Sequence, residues 1–485
     1  MSYIGRQLNV PASTVELTAE GAITAGKPVV VEADGDVAQI VQTSVTQGVG
    51  SPVVFTSTAA YSNEHASVFD SNNNKVVFCY SDYGNSGYGT AVVGTVSGTT
   101  ISFGTPVVFE SAQTGTEVSA AFDSSNNKVV IAYRDGGNST YGTAIVGTVS
   151  GDSISFGAAA VFESAITSKI GICFDSSNNK AVIVYTDQGN SNYGTAVVAT
   201  VSGTSISFGT PVVYRSARAE DNVATFDTTN NKVVVAYEYR TTGAGEAVVG
   251  TVIGTSISFG STATFESGDI KEYLAITFDS NTGKVFISYQ EGNNHRGIVG
   301  TVSGTSISFG SAADIQSGES LYASCTFDSS ANKVVVAYED GGNSNYGTAV
   351  PITISGTGFS VGTATVFESA NISFISCCFD SKASKVAIQY SDTGNSNYGT
   401  GVIFQNTDAI TNLTSENFIG FAENDCTDNG LATIQLGGSV NDKQTSLTAG
   451  QTYFVQTDGT IGTSADSPSV TAGTAVSSTE ILVKG

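Results

Sequence analysis

A Phe-Asp pair recurs seven times in this chain, at Phe69/Asp70, Phe122/Asp123, Phe174/Asp175, Phe226/Asp227, Phe278/Asp279, Phe327/Asp328 and Phe379/Asp380. Successive spacings are 53, 52, 52, 52, 49 and 52 residues. A fixed period near fifty restricts the fold to a solenoid, a propeller or another array of one repeated unit.

Each repeat carries four apolar runs separated by turn chemistry. In the second copy the first run ends at Phe122-Asp123, and the polar turn Ser124–Asn127 follows. The second run, Lys128–Tyr133, is nearly continuous in apolar residues. A Gly/Asn loop, Asp135–Gly142, leads to the third run, Thr143–Val149. The fourth starts at Ser153-Ile154-Ser155-Phe156 and continues through Val161-Phe162. Short β-branched and aromatic runs bounded by Gly, Asn, Asp and Ser are strands and hairpins. A continuous apolar run implies burial on both faces. Four antiparallel strands per repeat, the middle ones covered on both sides, describe a propeller blade between two neighbours.

The expected fold is therefore all-β, a seven-bladed β-propeller. The seventh repeat has no fourth strand, because the sequence changes character at Asn406. The missing strand stands at the other end of the chain. Val49–Ser57 matches Phe103–Ser111 almost residue for residue, so strand 49–57 is expected to complete the last blade and close the ring. Closure removes an open edge that would template aggregation.

The ends form a second domain, expected over 1–47 plus 406–485, with the propeller over 48–405. Thr24-Ala25-Gly26, Val31 and Asp34-Gly35 reappear as Thr448-Ala449-Gly450, Val455 and Asp458-Gly459 at a constant offset of 424 residues. A second echo links Ile419–Ala422 through Ile434–Gly437 with Ala472–Ala475 through Ile481–Lys484. The ends thus read as a small, internally duplicated β-barrel domain with the propeller inserted into one of its loops, the tolerated kind of insertion site. The chain enters the propeller at the start of a fourth strand and leaves at the end of a third. Both points belong to the face with the Asn-Asn-Lys turns, so the small domain is expected beneath that face. The opposite face carries the Gly-Asn-Ser loops and the connections that differ most between repeats.

The formal charge is −24, with only 13% charged residues. This argues against nucleic-acid or anionic-membrane partners, which need clustered Lys and Arg. No signal peptide and no membrane span are read in the chain. The six cysteines sit mostly inside strands and show no paired metal spacing, as reduced, buried thiols do.

An enzyme needs an asymmetric constellation, and the chain has only His65 and His295, neither with a companion at motif spacing. The repeated Asp of Phe-Asp is expected to accept hydrogen bonds from its own turn. The repeated Glu of Phe-Glu-Ser (Glu110, Glu163, Glu266, Glu368) is expected in solvent. No cofactor is expected; Ca²⁺ is the one ion the Asp-Ser-Ser-Asn-Asn loops offer oxygen ligands to, although turns use the same residues for backbone reasons. Repeats four and five break the Gly-Asn-Ser-Asn-Tyr loop, and four of the six arginines fall in that sector. Arg215, Arg218, Arg240 and Arg296, with Tyr239 and His295, are the candidate ligand-binding residues. Arginine suits bidentate capture of carboxylate or phosphate, as on an acidic glycan. The alternative is drift of unconstrained surface loops.

The terminal segments carry a resemblance. Asn417–Ala422, Gly437–Val440, Leu447–Tyr453, Asp458-Gly459-Thr460 and Ile481–Gly485 resemble the C-terminal module of virion proteins from tailed phages of marine bacteria. The Ala-Gly…Val-Val…Asp-Gly pattern is also similar to small β-barrel head-decoration proteins. The resemblance spans about 120 residues and implies a particle-anchoring module that brings no catalytic residues. The resulting expectation is a non-enzymatic, oligomeric phage virion protein. Its terminal domain would hold capsid or tail proteins, and its propeller would bind a host-surface glycan, weak single sites gaining avidity from many copies. The rivals are a purely structural capsid-decoration protein and a polysaccharide-degrading propeller enzyme.

Overall fold

The Phe-Asp repeat folds as it does because its aspartate organises the turn after it. The Asp70 carboxylate accepts from the backbone N–H of Asn72 (2.9 Å) and Asn73 (3.0 Å) and from the Asn73 side-chain amide (2.9 Å). Asp123, Asp175, Asp227, Asp279, Asp328 and Asp380 likewise accept the backbone N–H two residues on in their turns. The next strand then starts two residues later, and hairpin follows hairpin.

The computed structural model describes residues 13–59, 65–115, 118–466 and 468–484. It divides into two compact units, one from Thr46 to Asn406 and the other from the segments on either side of it. The larger unit is a β-propeller. In its first blade the inner strand is Ala66–Asp70, the second Lys75–Asp82 and the third Tyr88–Ser97. The outer strand comes in two pieces, Thr100–Phe103 and Val107–Gln113, both paired with the third strand. Every later repeat follows this ladder. In three places one long strand serves two blades: Ala160–Asp175, Val212–Asp227 and Thr365–Asp380 run from the outer edge of one blade to the inside of the next. The last blade is completed from the N-terminal side. Gly48–Val49 pairs with Phe404 and Gln405, and Val53–Ala59 pairs along Tyr398–Gly401. No helix among the described residues is long and apolar enough to cross a membrane.

The second strands supply the core, as continuous burial predicts. Val129 through Tyr133 are wholly buried, and so are Val182 through Tyr185. Blade meets blade through aromatic rings. Phe109 in an outer strand packs on Tyr133 of the next blade at 5.3 Å, Phe162 on Tyr185 at 5.2 Å and Phe265 on Tyr289 at 5.3 Å. The closing seam uses the same device, Phe55 on Tyr80 at 5.1 Å. Such pairs contribute about 1 kcal/mol each beyond their buried area.

The smaller unit contains two five-stranded sheets with one strand order, besides a two-stranded ribbon of Gln42–Val45 and Asp408–Thr411. In space the first runs Thr14–Thr18, Leu431–Gln435, Phe418–Ala422, Pro28–Val31, Val37–Gln39. The second runs Val440–Asn441, Ile481–Val483, Val470–Ala475, Thr452–Val455, Ile461–Gly462. The duplication extends to single residues. Gly420 and Gly473 occupy the same place, and a Cβ on either would fall on a backbone oxygen of the adjacent strand, Gln435 or Leu482. The two sheets share one core, with Val30, Ile40 and Phe421 against Tyr453, Val455 and Ile481. All six cysteines are free thiols, and Cys79, Cys173, Cys377 and Cys378 are buried.

Candidate functional site

The structure corrects the expectation for the repeated glutamates. They are half-buried, and they fasten one blade to the next. Glu110 accepts from the Tyr133 hydroxyl at 2.9 Å, Glu163 from Tyr185 at 3.0 Å, Glu266 from Tyr289 at 3.1 Å and Glu368 from Tyr390 at 3.0 Å. Burial pushes the carboxyls of Glu110, Glu163 and Glu368 above their usual range. Burial, with Glu319 nearby, pushes Glu339 up to about 7. A carboxyl with a raised pKa binds its proton more tightly in the folded chain than in the unfolded one, so stability falls as pH rises through the folded value. The melting-temperature advantage of the parent over Glu339→Gln is therefore expected to shrink from pH 5 to pH 8, a comparison in which the opposing effect of the buried, neutral His295 cancels. A difference that grows over that range contradicts the assignment.

The arginine-rich sector is a variation on the same fastening. Arg215 stands where other repeats have the glutamate, and Glu246 stands where they have Thr90, Thr143 or Thr195. Arg215 pairs with Glu246 at 3.1 Å, and Glu246 takes over the Tyr237 hydroxyl at 3.0 Å. Arg215 also lies over the Tyr239 ring at 4.0 Å. One repeat later Arg296 occupies the threonine position and reaches back to Glu266 at 3.1 Å, with Glu291 and Asp314 also on its guanidinium. Arg240 binds Glu238 at 2.9 Å and lies 3.6 Å from Glu220, which also holds Arg218. Arg215 and Arg218, in the outer part of one blade, are thus brought together with Tyr239 and Arg240 of the next, while Arg296 belongs to the blade after that.

His295 is not a surface residue. It is buried, and burial lowers its pKa to about 3, so the imidazole is neutral. Its position is held by glycine in the other repeats, where the ring of an outer-strand Phe or Tyr fills the space: Phe162 over Gly142, Tyr214 over Gly194. Here the outer strand offers the smaller Ile315, and the imidazole itself packs on Tyr338 at 5.1 Å. The Gly/Phe pair has become a His/Ile pair that keeps a ring against the tyrosine.

A different set of residues converges at the propeller axis. Five residues before the Phe of Phe-Asp, repeats three to seven place Lys169, Asp221, Tyr273, Tyr322 and Phe374. All five have left-handed backbones, with φ of 51°, 49°, 79°, 53° and 55°. Each lies in a β-bulge of its inner strand; Ser168 and Gly171, for example, face Thr186 and Val184, leaving an extra residue between. A bulge re-aims a side chain, and φ > 0 at a bulky residue is a strain that the surrounding fold must hold. The corresponding positions in repeats one and two, 64 and 117, lie outside the described residues.

These side chains line the mouth of an axial cavity of about 390 Å³, on the face with the Gly-Asn-Ser loops. Lys169 and Asp221 form an ion pair at 2.8 Å. Tyr273 and Tyr322 follow, ring centres 4.7 Å apart, then Tyr322 and Phe374, edge on at 4.7 Å. His65 continues the sequence 6.2 Å from Phe374. Among the described residues one side of the mouth carries the Lys169–Asp221 pair and the other is aromatic. Beneath them Asn222 is held by the Tyr214 hydroxyl at 2.6 Å and donates to Thr186 and to the Lys169 carbonyl, both at 2.9 Å. Among the described residues no group of three His, Cys, Asp or Glu side chains is placed to hold a metal ion.

The fold is all-β and the larger unit a β-propeller. No protein-family model and no curated protein matches the sequence. Among solved structures the chain is similar to AofleA from Arthrobotrys oligospora, with TM-score 0.44 and 9% identity over 72% of this chain and 97% of that one. It is similar to the SapL1 lectin solved with alpha methyl fucoside, with TM-score 0.41 and 13% identity over 64% and 98%. A variant of the Aleuria aurantia lectin AAL solved with Fucalpha1-6GlcNAc gives TM-score 0.40 and 12% identity over 64% and 97%.

Proposed function

We propose that this chain is a non-enzymatic carbohydrate-binding protein of a phage particle, held by its duplicated β unit and binding sugar at the axial mouth of its propeller. The observation that carries the reading is the mouth itself. Successive blades hold strained bulges there, and those bulges aim Tyr273, Tyr322 and Phe374 opposite the Lys169–Asp221 pair. A pyranose has an apolar face that lies against an aromatic ring and a rim of hydroxyls that need donors and acceptors. The cavity volume falls within the range of small-ligand sites, roughly 300–1,000 Å³. The Asp221 carboxylate is engaged by an ammonium, which suits recognition rather than proton transfer. The particle location rests on the terminal resemblance and on the insertion of the propeller between the two parts of the duplicated unit.

A glycan array probed with the full chain tests the binding. A defined set of saccharides is expected to bind, and Tyr322→Ala is expected to weaken that binding about tenfold, equivalent to about 1.4 kcal/mol. Binding that is unchanged in Tyr322→Ala would move the site elsewhere. Mass spectrometry of purified particles, heads and tails separated, is expected to find the chain in one fraction; its absence from both refutes the virion reading.

A further inference from the structure

Resting on that reading, we infer that the axial site takes the uncharged terminal residue of a glycan chain, and not an acidic sugar. The arginine sector was the natural place for an acidic glycan, and the structure shows its charge already used. Arg215, Arg218, Arg240 and Arg296 face Glu246, Glu220, Glu238, Glu266, Glu291 and Asp314, so four guanidiniums meet six carboxylates. At the mouth itself Lys169 is matched by Asp221. Lys271, in the same strand as Tyr273, is matched by Glu319 at 3.5 Å. The chain as a whole carries −24. An anionic sugar approaching this face is repelled at long range. Arg134, a guanidinium on this face with no ion pair among the described residues, stands at the loop end of a second strand and outside the cavity lining.

An uncharged sugar meets no such repulsion. Its hydroxyls accept from the Lys169 ammonium and donate to the Asp221 carboxylate, charge-assisted hydrogen bonds that no opposite charge on the ligand is needed to form. Its apolar face lies on Tyr273, Tyr322 and Phe374, which stand in direct contact with one another as a wall. The geometry also selects the end of a chain. The cavity is on the axis and its lining comes from inner strands all round the ring, from His65 and Ser67 through Val118 and Ile170 to Ile375. A ligand enters along the axis, so a terminal residue goes in and a mid-chain residue, extended on both sides, does not.

The test measures affinity for matched oligosaccharides: neutral, sialylated, sulfated and uronate-bearing, each with the full chain, Tyr322→Leu and Asp221→Asn. A neutral cyclic oligosaccharide serves as the ligand without ends, and a thermal melt of each variant reports folding. The inference predicts that neutral linear ligands bind at least about tenfold tighter than their acidic counterparts and than the cyclic one. It predicts little dependence on salt and a loss of about tenfold or more in either folded variant. Acidic ligands binding as tightly as neutral ones would overturn the inference and leave carbohydrate binding standing. Equal binding of the cyclic ligand would overturn the chain-end selection. Neutral ligands that bind both folded variants as well as the parent would remove the axial site. Binding of no saccharide at all would overturn the functional reading as well.

Discussion

Gly50→Ala is expected to destabilise the propeller by about 3 kcal/mol or more and to turn reversible unfolding into aggregation. Gly50 sits between the two pieces of the strand that completes the last blade. A Cβ there would fall on the backbone carbonyl of Thr99, in the turn of the first blade. The same close approach recurs around the ring, Gly104 against Asp152, Gly157 against Thr204 and Gly260 against Thr305. Backbone cannot move aside as the tip of a flexible side chain can. The change at Gly50 differs from the others in acting on the seam between chain start and chain end. When that seam loosens, the third strand of the last blade is exposed as an unpaired edge. Denaturant midpoints with light scattering check this, and Gly98→Asn, at a turn glycine with open space and φ of 59°, is the control expected to shift little. A Gly50→Ala protein as stable as its parent would contradict the closed ring.

Glu246→Thr is expected to cost about 2 kcal/mol, and adding Arg215→Glu is expected to restore most of it. The single change leaves the Arg215 guanidinium without its partner and takes away the nearer acceptor of the buried Tyr237 hydroxyl, leaving Thr262 at 3.4 Å. The double change rebuilds the Glu-and-Thr arrangement that fastens Tyr133 and Tyr185 in the neighbouring blades. The pair is largely buried, so most of the cost of breaking it lies in the orphaned partner. A double-mutant cycle on chemical denaturation measures the coupling. Additive effects with no rescue would mean that Arg215 and Glu246 are not a substituted blade fastening.

The repeated residues were legible in the sequence because one physical cause acts seven times. Asp70 and its six counterparts were readable as turn acceptors from their neighbours alone, since the groups they bind lie two and three residues away. The glutamates were not. Glu110 and Tyr133 are 23 residues apart and in different blades, and nothing local marks the carboxylate as buried. The arginines misled for a related reason. Their clustering is real, but each guanidinium already faces a carboxylate: Arg215 the substituted Glu246, Arg296 the repeated Glu266, Arg218 Glu220 and Arg240 Glu238. His295 with Ile315 is the same kind of exchange in volume. The axial mouth escaped because a site formed once per ring has no repeat signature. Lys169, Asp221, Tyr273, Tyr322 and Phe374 share a register and a backbone conformation but no side-chain chemistry. The fixed distance to the next Phe-Asp pair was the signal that could have found them.

The most direct measurement is a crystal structure of the full chain with a neutral oligosaccharide that it binds. The account predicts a terminal sugar at the propeller axis, its apolar face on Tyr273, Tyr322 and Phe374 and its hydroxyls on the Lys169–Asp221 pair. Sugar found only elsewhere, with the axial mouth unchanged and empty at saturating ligand, would contradict it.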